Sequence, residues 1–168
     1  MSVKYKRYWR KTGLKGSAAN TFINQLILHK PKNFLEIGVF CGVTARNVCE
    51  NLNIIHDGKF KYTGIDLFGE DQSIIDEIEP NYIKKQHFNN PLKKFYYNFI
   101  LKENLNSLES VSKFLRKYKK NITLIKGNSN KILKEYKFQD VDFIFLDGGH
   151  SYETVVNDLS NLYSNLKA

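Results

Sequence analysis

No apolar run in the sequence approaches the roughly 18 residues that a membrane-spanning helix needs, so no membrane segment is expected. Residues 1–11 are basic and aromatic and lack the apolar stretch of a secretory signal, which points to a cytoplasmic protein. Cysteine is scarce. Cys41 and Cys49 are the only two, their spacing fits neither a zinc site nor a redox pair, and both are expected as reduced packing residues. Acidic residues are outnumbered, 17 Asp and Glu against 26 Lys and Arg, for a net charge of +9, which favours anionic partners in general. The basic residues are nevertheless spread over residues 4–11, 84–94 and 113–120 with no RNA-binding motif among them. Solvated faces are therefore the default explanation, and nucleic acid is not the expected partner.

What is present is the composition of one globular domain, residues 1–168: 42% hydrophobic and 26% charged, with no internal repeat. Phe22, Ile23, Leu26 and Ile27 recur at helical spacing over residues 17–30, with Ser17 as N-cap and Pro31 closing the helix. Residues 33–37 read as a buried strand ending at Gly38. Ala45, Val48, Cys49 and Leu52 then mark a helix lying on a sheet, and residues 61–65 form a second strand ending in Asp66, which completes a βαβ unit. Residues 68–120 interrupt that rhythm as a helical insert with two stripes, Leu92, Phe95, Tyr96, Phe99 and Ile100, then Leu108, Val111, Leu115 and Tyr118. The insert is a candidate lid, with core packing the leading role for most of its aromatics. Alternation resumes with a strand at 122–125, a helix at 129–136, a strand at 141–146 and a helix at 151–166 whose inner face is expected at Val155, Leu159, Leu162 and Leu166. The fold expected is α/β: a doubly wound, mainly parallel, Rossmann-like sheet with helices on both faces.

The turn after the first strand carries Gly38 and Gly42 with three residues between them, unlike the G-x-G-x-x-G of dinucleotide enzymes, and Glu36 precedes the first glycine. Glycine allows positive φ and close approach of a ligand. A neighbouring carboxylate disfavours a pyrophosphate but suits a cationic cofactor. The string Leu35-Glu-Ile-Gly-Val-Phe-Cys-Gly42 resembles motif I of class I S-adenosylmethionine-dependent methyltransferases, particularly catechol O-methyltransferase and the macrocin-type sugar O-methyltransferases. The resemblance implies that Glu36, Gly38 and Gly42 line the methionine end of S-adenosylmethionine. It implies that Asp66 binds the ribose hydroxyls, and that Ser129 and Asn130, in Gly127-Asn-Ser-Asn130, contact adenine. On this reading Gly38→Val would block the cofactor without unfolding the protein.

The string from residue 141 to 152 resembles the fourth-strand motif of the macrocin-type enzymes. There the aspartate binds a divalent metal, Mg2+ by implication, and the histidine three residues on is the general base. Carried to this sequence, Asp147 is the metal ligand and His150 takes the acceptor proton, the two forming the catalytic pair. The plain alternative is a tight turn whose aspartate satisfies backbone donors. Asp142 is expected at a solvated strand entry, His56 and His87 on the surface, and Ser151 and Glu153 at the start of the last helix. The resemblance further implies a fifth strand carrying more metal ligands, so the chain is expected to be truncated after the fourth strand and its helix. That strand would be left as an apolar edge for a homo-oligomer or another partner to cover. The leading function is methyl transfer to a hydroxyl of a small molecule such as a sugar. The alternatives are a cofactor-binding but inactive fragment or subunit and, more weakly, a basic RNA-binding module.

Overall fold

The computed structural model describes residues 4–69, 90–101, 104–138, 140–149 and 151–166. Its elements run α1 (Gly16–His29), β1 (Asn33–Ile37), α2 (Val43–Ile55), β2 (Lys61–Asp66), α3 (Pro91–Phe95), α4 (Leu108–Phe114), β3 (Ile122–Lys126), α5 (Ser129–Glu135), β4 (Phe143–Leu146) and α6 (Tyr152–Leu166). The four strands form one parallel sheet in the order β3-β2-β1-β4. β1 lies between β2 and β4, with Glu36 opposite Gly64 on one side and Phe145 on the other.

Period-2 alternation along β1 sends its side chains to two different cores. Phe34 faces a cluster built with Phe22, Ile23 and Leu26 of α1, Val48, Cys49 and Leu52 of α2, and Val111 of α4. Leu35 and Ile37 face the opposite cluster, with Leu133 of α5 and Leu162 of α6. Helices thus cover both faces, as a doubly wound α/β fold requires. Cys41 and Cys49 are buried free thiols, in keeping with packing roles. Within the described residues no helix is long and apolar enough to cross a membrane.

Three local expectations are corrected. Ser17 does not cap α1: the helix starts at Gly16, with Lys15 in the cap position and no side-chain bond. Its end agrees with the pattern, because Lys30 turns left-handed (φ 45°) just before Pro31 and its N–H bonds Leu26 O at 3.0 Å. Of the inner face expected for α6, Leu162 is buried, Val155 and Leu159 are exposed, and the Leu166 side chain lies outside the described residues. Asp158, Leu162 and Asn165, one helical stripe at i, i+4, i+7, turn toward α5, where Asn165 donates to Leu133 O. Asp158 and Leu162 are buried, while Val155, Val156, Leu159 and Tyr163 are exposed. A stripe that is partly polar was invisible to a search for apolar period.

The third correction concerns the insert. Leu92, Phe95, Phe99 and Ile100 are each more than half exposed, because α3 lasts only to Phe95 and widens into π-helical turns over Tyr96–Leu101. In those turns i, i+3 and i+4 no longer share one face. Tyr96 alone of that stripe packs inward, against Cys41 and Leu105. The second stripe behaves as expected: Val111, Leu115 and Tyr118 are buried.

Candidate functional site

A parallel sheet places all strand carboxyl ends at one edge, and the chain reverses direction there between β1 and β4, where open α/β sheets bind ligands. Gly38 stands at that point. Its N–H donates to Ile65 O of β2 at 2.9 Å, and Asp147 N–H donates to Ile37 O at 2.8 Å. Gly38 has φ +93°, and a Cβ there would lie under 3.0 Å from the Asp147 carbonyl and the Gly148 nitrogen. The empty Cβ position is therefore occupied by the chain itself. The sequence-based expectation that Gly38→Val spares the fold is overturned on this ground. Gly42, at φ +75° and serving as N-cap of α2, is likewise crowded by Val111 at 3.1 Å and Phe114 at 3.5 Å.

Glu36 is completely buried. The Tyr62 hydroxyl donates to Oε2, while Oε1 has no hydrogen-bond partner. Burial pushes its carboxyl well above the usual range; the Tyr62 hydrogen bond opposes this, and the charges on Asp147 and Asp66 add to it. A buried acceptor without a donor is costly, and three carboxyls near one strand end form a place that a positively charged donor would satisfy.

Asp66 is committed to the local backbone. Oδ2 accepts from Phe40 N–H at 2.8 Å and Oδ1 from Phe68 N–H at 2.7 Å, so the carboxylate ties the glycine turn to the end of β2. A carboxylate oxygen can accept more than one hydrogen bond. Across the edge, Asn128 caps α5 by accepting from Asn130 N–H at 2.9 Å. An aspartate at 128 would serve the same cap. Ser129 hydrogen-bonds the buried Asp158 of α6, whose pKa is raised chiefly by burial, with the Ser129 bond pulling the other way. Asn130 Oδ1 is buried without a partner. Of the two candidate adenine contacts, Ser129 is thus engaged within the fold and Asn130 retains an unsatisfied acceptor.

The divalent metal fares less well. Among the described residues no three His, Cys, Asp or Glu side chains come together to hold one, so Mg2+ receives no support. His150 and His87 lie outside the described residues. His56 is structural rather than simply superficial: its Nε2 lies 3.0 Å and 2.9 Å from the carbonyls of Lys30 and Pro31. Asp142 accepts from Lys32 N–H at 2.8 Å and Asn33 N–H at 2.9 Å, fixing the entry to β1.

Sequence reasoning missed the N-terminal segment. Tyr5 OH lies 2.9 Å from Thr44 Oγ1 and 3.0 Å from Thr12 Oγ1. Arg10 donates to the carbonyls of Cys41, Leu105 and Ser110. Asn47 exchanges hydrogen bonds with the Lys6 backbone, and Glu50 binds Lys6, Tyr8 and Arg46. A segment with no periodicity gave no signal for these contacts. The signal for Thr44 was its place in the first turn after Gly42.

A family model described as a methyltransferase domain matches residues 35–168. The chain belongs to that methyltransferase family. Solved structures similar to it include the methyltransferase PaMTH1 of Podospora anserina, determined with SAH bound (16% identity, TM-score 0.55, 90% of this chain and 48% of that one). CalS11, a calicheamicin methyltransferase, is 10% identical with TM-score 0.54 over 90% of this chain and 62% of the other. A candidate caffeoyl-CoA O-methyltransferase from Staphylococcus aureus is 14% identical with TM-score 0.51, over 89% and 54%. At such identities the likeness speaks for the fold. This methyltransferase-family chain spans about half the length of the solved structures it matches. Among curated proteins, none matches it.

Proposed function

We propose that the chain binds S-adenosylmethionine at the carboxyl edge of the sheet and transfers its methyl group to a hydroxyl of a small molecule such as a sugar. The observation that carries this reading is Glu36: a fully buried carboxyl with one oxygen unpartnered, beside Gly38 and within the influence of Asp147 and Asp66. These residues fit the cofactor chemically. The Glu36 carboxyl suits its ammonium group, the Asp66 oxygens its ribose hydroxyls, and Asn130 Oδ1 the amino group of adenine. The SAH bound to PaMTH1 supports the same assignment by analogy.

When bound, the cofactor supplies an electrophilic methyl group on a positively charged sulfur. The chain's own contribution is to hold the acceptor oxygen in line and take its proton. We assign the proton to the imidazole of His150, a side chain suited to general-base work near neutral pH. Asp147, at the end of β4, orients the acceptor and offsets the positive charge that the imidazole gains. Calorimetry tests the first half: the protein should bind SAH while NAD leaves it unaffected, and the opposite preference would overturn the assignment. His150→Ala tests the second half, with turnover expected to fall by about 100-fold or more while SAH affinity changes by less than about twofold. Equal loss of both would make the Asp147-to-His150 segment a structural turn.

A second reading, a cofactor-binding unit completed by further strands, draws on two features. Among the described residues β4 pairs only with β1, and α6 leaves Val155, Val156, Leu159 and Tyr163 exposed. An apolar edge strand beside an apolar helix face invites pairing. We therefore expect the 168-residue chain to self-associate. Sedimentation velocity from about 1 to about 100 μM should show a concentration-dependent shift toward dimer or larger species. A single monomer species throughout would sink this expectation.

A further inference from the structure

On the flank of the sheet that carries α2 and α4, away from α5 and α6, lies an open pocket of about 610 Å3. Its lining is Tyr8, Arg46, Lys113, Phe114, Arg116 and Lys117, four cations and two aromatic rings with no carboxylate among them. We propose that this pocket binds the phosphoryl group of a small phosphorylated molecule, at a place distinct from the carboxyl edge where the cofactor is assigned. The inference does not depend on that assignment.

Three of the cations have a simple reason for their position. Lys113, Arg116 and Lys117 are exposed residues in the last turn of α4 and the 3-10 turn that follows it, where the helix dipole favours positive charge. Arg46 has no such reason, because it stands in the first turn of α2, the end at which a cation is disfavoured. Of its five N–H donors, Nε donates to Glu50 Oε1 at 2.9 Å and Nη1 to Phe114 O at 2.8 Å. Those of Nη2 have no hydrogen-bond partner among the described residues. The guanidinium is therefore anchored at one side, with its side chain only 19% exposed, and open at the other. Glu50 does not compete for that open side. Burial would raise its carboxyl, but bonds from Lys6, Arg46 and Tyr8 hold it below the usual range, so its charge is already balanced. A fixed guanidinium flanked by further cations is the donor set that recognises phosphate oxygens.

The aromatic rings decide between a small phosphate and a nucleic-acid strand. Phe114 is met by the Arg10 guanidinium at 4.6 Å, by Arg46 at 5.6 Å and by Tyr8, edge to face, at 5.2 Å. Tyr118 beside it is met by Arg46 at 5.1 Å and Lys117 at 5.6 Å, and the Tyr8 hydroxyl donates to Glu50 at 2.8 Å. Rings engaged by the protein's own cations orient those cations. They are poor platforms for the stacked bases on which single-stranded nucleic acid binding depends. The volume is likewise that of a small-molecule site.

Calorimetric titration of the whole chain with inorganic phosphate, glucose 6-phosphate and glucose, at fixed ionic strength, tests the assignment. Both phosphates should saturate one site with Kd of about 1 mM or tighter, and glucose should not bind there. Replacing the exposed pair together, Arg116→Gln with Lys117→Gln, should raise both Kd values by about tenfold or more, since hydrogen bonds to charged groups are lost. Arg46→Lys keeps the charge but not the fork, and should weaken both phosphates by about fivefold or more. The exposed pair gives an answer even if Arg46→Lys disturbs the fold. Lys131→Gln with Lys134→Gln removes the same charge from α5, across the sheet, and should leave both within about twofold. Saturating SAH should change neither. Absence of saturable phosphate binding, an equal loss in the α5 pair, or competition by SAH would each overturn the proposal. A single strand of about 12 nucleotides that binds about 100-fold tighter than glucose 6-phosphate, and weakens with the same Arg116 and Lys117 pair, would overturn it in favour of nucleic acid.

Discussion

Gly38→Ala is expected to lower the melting temperature by about 8–16 °C, corresponding to a loss of about 4 kcal/mol in a domain of this size. Two costs combine. The residue sits at φ +93°, where any side chain is strained, and the added methyl group meets backbone atoms of Asp147 and Gly148. Backbone cannot rotate away as a flexible side chain would, so the carboxyl ends of β1 and β4 must separate, at the point where Asp147 N–H bonds Ile37 O. Gly13 is the control, because a Cβ there meets nothing within 4 Å and its φ is not positive. Gly13→Ala should melt within about 2 °C of the parent. The measurement is a thermal unfolding scan of the unliganded protein. A Gly38→Ala variant as stable as Gly13→Ala would show that the glycine is kept for the ligand's approach and not for the chain's own packing.

That distinction was hidden in the sequence, where a glycine needed for a ligand and a glycine needed for a neighbouring strand are the same letter. The strands were legible because buried parallel strands are continuous apolar runs between turns: residues 33–37 read as β1 and residues 61–65, ending in Asp66, as β2. The order with β4 beside β1 appears only in the folded sheet; the family likeness implied no more than that β4 would be left as an edge. Less legible were features set by contacts between distant segments. Nothing near Ser129 announces Asp158, and nothing near Thr44 announces Tyr5, 39 residues earlier. The α6 face was misread because its inward stripe includes two polar residues, Asp158 beside Ser129 and Asn165 donating to Leu133 O. At the site, residue identity was easier to read than residue engagement. Glu36, Gly38, Asp66 and Asp147 stand together at one sheet end, but the bonds from Asp66 to Phe40 and Phe68, and from Glu36 to Tyr62, appear only once the chain is folded.

Glu36→Gln should stabilise the unliganded protein at neutral and alkaline pH while weakening SAH binding by about 30-fold. Burial is the main reason the native carboxyl holds its proton well above the ordinary value of 4.5. For an acid whose folded pKa is raised, the native state keeps a proton that the unfolded chain has already lost. Stability associated with Glu36 is therefore full below about 4.5 and declines as pH rises toward the raised folded value, by up to about 1.4 kcal/mol per pH unit inside that window. An amide cannot titrate, so the variant should lack this decline and melt above the parent at pH 8, with the two curves converging toward pH 4.5. The Tyr62 hydroxyl can still donate to the amide oxygen, so the local hydrogen bond survives. Cofactor binding moves the opposite way, because the ammonium group needs the carboxylate and its arrival expels the proton. SAH affinity of the parent should accordingly rise as pH climbs from the ordinary value of 4.5 toward the raised folded value, by no more than about tenfold per unit, whereas that of Glu36→Gln stays flat. Thermal scans and calorimetry across that range, in buffers of differing ionisation enthalpy, measure both slopes and the released proton. If the parent gains stability relative to Glu36→Gln as pH rises, Glu36 is ionised in the unliganded fold, and the buried acceptor is a fixed charge rather than a neutral acid awaiting a cation.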